Sequence, residues 1–185
     1  MQEILLKAID MFHFVCFLKR KKKPSYIKEM LSVLFDVTSE NIGSLLSPGL
    51  LKLRFESRDF NTISEFDFEL NVYVQDKESI LELKMYNNLL FGKQVSLYVD
   101  DEVLIDDESD DSYQWLLIDK ERLFLVEECD DDKSGISLIQ SSKKELLFEK
   151  ALLLLPNKED IDNLIIEKPR PYFISPSSLW KTCLK

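Results

Sequence analysis

The sequence predicts an α+β fold: a largely antiparallel sheet of six to eight strands, with helices supplied by the N- and C-terminal segments. Three observations lead there. Apolar residues recur at helical spacing in the first part of the chain, alternate with period two in its middle, and return to helical spacing near its end. With 185 residues, 45% of them apolar, the chain is a single domain on length and can build a real core. The expected division is 1–47 helical, 50–141 strand-rich, and 142–185 helical with an extended tail.

Ile4, Leu5, Ala8, Ile9, Phe12, Val15 and Cys16 set a first, buried helix, apolar nearly all round over residues 11–18. The run KRKKKP, residues 19–24, is expected to end it, with cations complementing the helix C-terminus and proline halting it. A second helix is expected from Ser25 as N-cap, with Ile27, Met30, Leu31 and Leu34 on one face, and a short third one after Ser39. Ser47, Pro48 and Gly49 form a turn.

Leu51, Leu53 and Phe55 then alternate with Lys52, Arg54 and Glu56, and Phe66, Phe68, Leu70, Val72 and Val74 alternate with polar partners. Leu81, Leu83 and Met85 continue the pattern, followed by strands at 95–99, 103–105, 113–118 and 123–128. The polar DKER, residues 119–122, predicts a hairpin connection, and apolar residues on both faces of its strands predict a covered sheet. Ser142 and Glu145 have capping-box spacing ahead of a last helical stretch, and Pro169, Pro171 and Pro176 make the tail extended. With no helix expected between residues 51 and 140, a doubly wound parallel sheet is disfavoured.

The net charge of −10 is concentrated. Residues 100–132 hold fifteen Asp or Glu and two bases, Lys120 and Arg122, whereas the other residues carry 19 acids and 22 bases. Such a face argues against nucleic-acid binding, because phosphate backbones are held by clustered Lys and Arg. It suits a basic protein partner. Thirteen of these acids fall in three clusters: Asp100, Asp101 and Glu102, then Asp106, Asp107, Glu108, Asp110 and Asp111, then Glu127, Glu128, Asp130, Asp131 and Asp132. In a meander, alternate turns collect at one end of the sheet, and Tyr113 and Trp115 lie in the same region as candidate anchors.

Three cysteines, Cys16, Cys129 and Cys183, without CxxC spacing, suggest reduced thiols in a cytoplasmic protein, with neither an export signal nor a membrane anchor. The four glycines form no phosphate-cradling loop, and no cofactor is expected. His13, the single histidine, could share a helix face with Cys16 as base and nucleophile, but a core histidine beside a buried thiol is the simpler reading. Asp130, Asp132, Ser134 and Gly135 match the first half of a calcium loop. The twelfth position is Ser141 instead of Glu, so the preferred reading is a solvated acidic turn with Gly135 at positive φ. Asp67 with Glu82 and Lys84 resembles the acid and E-x-K of PD-(D/E)xK metal-dependent nucleases, against which stands the simpler reading of exposed charges on a strand's outer face.

The stretches NNLLFGKQVSLYVDDEVL, YQWLLIDKERLFLVEEC and YFISPSSL resemble, in general character, the immunity proteins of bacterial polymorphic and contact-dependent toxin systems. About half the chain is involved and no diagnostic motif transfers, so the resemblance implies a role and no residue. That role is a non-catalytic protein neutralising a cognate toxin, such as a nuclease with a basic cleft. A nuclease centred on Asp67, Glu82 and Lys84 and an acidic DNA-mimic regulator are the alternatives. The apolar segment 11–18 makes a homodimer conceivable.

Overall fold

The computed structural model describes residues 12–60, 64–75, 83, 85, 87–106, 113–130, 135–149 and 151. Its frame is an eight-stranded sheet in the order β2-β3-β4-β1-β5-β6-β7-β8, in which every neighbouring pair is antiparallel except β2 with β3. The strands are β1 (Phe12–Leu18), β2 (Ile42–Ser44), β3 (Leu53–Asp59), β4 (Phe68–Val74), β5 (Val103–Asp106), β6 (Gln114–Asp119), β7 (Arg122–Glu128) and β8 (Leu138–Leu146). Among the described residues it is accompanied by the helices α1 (Pro24–Phe35) and α2 (Asn88–Val99) and a 3-10 turn at Ser39–Asn41. The α+β class and the largely antiparallel sheet are as expected. Among the described residues, no helix is long and apolar enough to cross a membrane.

Several elements differ from the expectation, each for a physical reason. Residues 12–18 form a central strand, not a helix. Phe14, Cys16 and Leu18 face the helices, while Phe17 packs on Phe60 and Trp115 on the other side. A strand covered on both faces is as apolar all round as a buried helix, so composition misleads here. The placement also removes the ground for a dimer through this segment, because β1 is paired by β4 and β5. Residues 19–23 consequently precede helix α1, whose N-cap position is Lys23 and not Ser25.

Residues 95–99 belong to α2, not to a strand, and this helix does separate successive strands. Since β1 is antiparallel to both β4 and β5, those two run parallel, and β4-α2-β5 is a crossover that spans β1. Asn87 caps α2 by accepting from the Leu90 N–H, and Asn88 accepts from the Val15 N–H on the central strand. Gly92 brings the helix close to the sheet: a Cβ there would lie 2.6 Å from Ile118 Cδ1 and 3.0 Å from Ile105 Cγ2. Ser142 and Glu145 lie in β8, not at a helix start, and Leu83 lies in a turn.

The sheet has two cores. The larger packs α1 and α2 on one face; the smaller, on the other, comprises Phe66, Leu104, Leu117, Phe124, Val126, Ile136 and Leu138. The sheet curls around the second core, because Phe66 and Ile136, just ahead of β4 and β8, exchange two 2.9 Å backbone hydrogen bonds.

Replacing Gly92 by valine is expected to lower stability by about 2–3 kcal/mol through overpacking against Ile105 and Ile118. A urea titration followed by circular dichroism measures this, and an unchanged midpoint would contradict the close helix–sheet approach.

Candidate functional site

The acidic residues divide between the two ends of the sheet. Asp100, Asp101 and Glu102 precede β5, whereas Asp106, Glu127 and Asp130 lie where β5 ends and β7 ends, at the opposite edge of the strands. The expectation that the acidic turns gather at one end therefore fails for residues 100–102.

Those three acids serve the fold. Asp100 is the left-handed C-cap of α2, at φ 54°, and pairs with Lys120 at 2.6 Å. The hydrogen bond and charge of Lys120 hold its carboxyl below the usual range. Asp101 accepts from the Glu102 N–H through its carboxylate and from Ser96 Oγ through its carbonyl.

Glu102 binds the Lys19 ammonium at 2.7 Å and the Lys143 ammonium at 3.0 Å. Both cations also sit on rings of the second core, Lys19 5.7 Å from the Phe66 centroid and Lys143 4.2 Å from that of Phe124. One carboxylate thus holds two cation–π lids over that core. Burial alone would raise the Glu102 carboxyl, but Lys19 and Lys143 outweigh it and hold it below the ordinary range. Burial likewise opposes the Lys19 charge, and Glu102 and Glu65 outweigh it and raise the ammonium.

The other end is arranged differently. Asp106 stands opposite Trp115 on β6 and Glu127 opposite Gln114, the adjacent residue, so the two carboxylates leave opposite faces of the sheet at this end. Asp106, Glu127 and Asp130 are exposed. Trp115 is fixed from two sides: its Nε1–H donates to Glu128 Oε2 at 2.8 Å, and Phe17 meets it edge-on at 5.3 Å. Sequence reading missed Glu128 as its partner, because that pairing depends on the β6–β7 register. Tyr113 is 51% exposed and its carbonyl accepts from the Glu128 N–H. This end presents exposed carboxylates on both faces of the sheet and an exposed tyrosine. Asp107, Glu108, Asp110, Asp111, Asp131 and Asp132 lie outside the described residues.

Of the enzymatic candidates, only the His13 and Cys16 pair lies wholly among the described residues, and its members are held apart. His13 and Cys16 point to opposite faces of β1: His13 is exposed, stacked on Tyr73 and bonded to Asn71 at 3.0 Å, whereas Cys16 is fully buried, which pushes its thiol far up. Of the nuclease set, Asp67 precedes β4 with Oδ1 buried and lacking a hydrogen-bond partner, and Glu82 and Lys84 lie outside the described residues. Of the calcium set, Asp130 is exposed, Gly135 has φ 99° as expected, and Asp132 and Ser134 lie outside them. Among the described residues, no group of three or more His, Cys, Asp or Glu is placed to hold a metal. Cys129 is disulfide-bonded, so the expectation of three reduced thiols does not hold for it.

No family model, no curated protein and no solved structure matches this chain, so the site stands on its geometry. A Glu102→Gln substitution is expected to cost about 1–3 kcal/mol at neutral pH, because Lys19 and Lys143 lose their shared counter-ion. Since the folded carboxyl ionises below the ordinary range, its contribution is present above the unfolded value of about 4.3 and lost as pH falls through the folded one. Denaturant titrations across acid pH should show a shallower loss for the variant than for the wild type.

Proposed function

We propose that this protein is a non-catalytic binding protein that neutralises a basic protein partner, a cognate toxin domain, through the acidic end formed by Asp106, Tyr113, Glu127 and Asp130. The observation that carries this reading is the contrast between the two ends of the sheet. At one end Asp100 and Glu102 are paired with Lys19, Lys120 and Lys143; at the other, Glu127 and Asp130 are exposed, as are Asp106 and Tyr113. Like charges held together destabilise the folded state, and a basic partner would relieve that repulsion. The likeness in character to toxin immunity proteins supports the same role.

Exposed carboxylates act chiefly on association rate, by steering an oppositely charged partner. The test is a pull-down from native cells with the wild type beside a variant carrying Asp106→Asn, Glu127→Gln and Asp130→Asn. Capture of one basic protein by the wild type alone is expected, with association slowing at least about tenfold as salt rises from low to moderate ionic strength. Equal capture by both proteins, or tight binding with salt-independent association, would remove the acidic end as the interface.

A further inference from the structure

Cys129 stands just past the end of β7, inside the acidic run Glu127, Glu128, Asp130, Asp131 and Asp132. It is buried, although Glu127 and Asp130 beside it are exposed. Two backbone bonds fix its position: its own N–H donates to Ser137 O at 2.7 Å, and the Glu128 N–H donates to Tyr113 O at 2.8 Å. Its sulfur is held in a disulfide.

The sequence offers that sulfur two partners, Cys16 and Cys183. Cys16 is a free thiol, fully buried on the helix-facing side of β1, which rules it out. Cys183 lies outside the described residues, in a stretch of opposite character. Residues 168–185 carry Lys168, Arg170, Lys181 and Lys185 and no acid.

We propose that Cys129 is joined to Cys183, and that the bond is a redox-sensitive strap that sets the charge of the acidic end by holding Lys181 and Lys185 beside it. A disulfide keeps its two Cα atoms within about 7 Å, and two residues of chain span at most about 7 Å more. The backbone of both lysines is thereby held within about 14 Å of Cys129, whose near neighbours in the chain are Glu127 and Asp130. At that range flexible lysine side chains bring two ammoniums to within a Debye length of these carboxylates, and lower their field without covering them.

Without the bond the two lysines are tied to the sheet only through the chain that follows Ala151, and their effective concentration at the acidic end falls. A dithiol reductant opens the strap by exchange. One of its thiolates attacks a sulfur of the bond, and its second then displaces the mixed disulfide. Cys129 and Cys183 gain two electrons and two protons as the reductant closes to its own disulfide. The switch rests on the binding role proposed above: the oxidised chain receives a basic partner slowly, and the reduced chain quickly.

The test takes the purified full chain oxidised with glutathione disulfide. Trypsin without reductant should release residues 123–133 and 182–185 as one linked species, which dithiothreitol separates. Stopped-flow association with a fluorescent decalysine peptide should be at least about threefold faster for the reduced chain at low salt, with the difference lost at high salt. A Lys181→Gln, Lys185→Gln variant keeps the bond and should show the fast rate while still oxidised, which separates the charge from any loosening of the fold. Circular dichroism checks that every form stays folded. Absence of the linked peptides, or a link from Cys129 to a second chain, overturns the proposal. So does an oxidised variant as slow as the oxidised wild type. Equal, salt-dependent rates for the oxidised and reduced chains remove the strap's role alone, whereas a probe that binds neither form removes the acidic end as an interface and the switch with it.

Discussion

Everything in this fold answers to the need to cover β1 on both faces. Phe14, Cys16 and Leu18 require a helical layer on one side, and Phe17 requires apolar cover on the other. The first is supplied by α1 and by α2, which spans β1 on its way from β4 to β5 and ties itself to the strand through Asn88 and the Val15 N–H. The second is supplied by curling the sheet until Phe66 and Ile136 pair. β1 is thus the strand about which the two cores are organised.

The second core explains why acid content is a poor guide to interface. Its mouth is closed by cations on aromatic rings, and cations that are partly desolvated need a carboxylate close by. Glu102 meets that need from the residue just ahead of β5, with Glu65 3.7 Å from Lys19 and 3.3 Å from the Gln140 side chain as a further support. A residue that reads as part of an acidic surface run is therefore an internal tie between β1, β5 and β8. The same holds, at the surface, for Asp100 at the end of α2, where a left-handed cap and a lysine partner give the charge a local purpose.

What the chain made legible follows the physics of periodicity. Strands with one buried face, such as Phe68–Val74, alternate cleanly and were placed within two residues. The hairpin at Lys120 and Glu121 was legible because its polar turn separates two apolar runs, and Asp119 does pair with Arg122. The helix α2 was not, because Val95, Leu97 and Val99 alternate as strand residues do, while Leu89, Phe91, Gly92 and Val95 pack inward. β8 was misread because its ends alone are deeply buried, leaving Ser142 and Glu145 free to imitate a cap. At the candidate site, the sequence could locate the charge but not assign it to ends of the sheet, since that depends on which strands are antiparallel neighbours. Nor could it couple Arg54 to the loop before it, because four carbonyl contacts from one guanidinium are a property of the folded turn.

At the acidic end Trp115 is held by Glu128 and Phe17, whereas Tyr113 is exposed. Exposed carboxylates attract a partner over a Debye length but hold it weakly once it arrives, because exposed ion pairs gain little and buried contacts carry most binding energy. If this end is the proposed interface, tight binding therefore requires the partner to bring the desolvated part of the contact, such as arginines whose planar guanidinium pairs with a carboxylate while stacking on an aromatic ring.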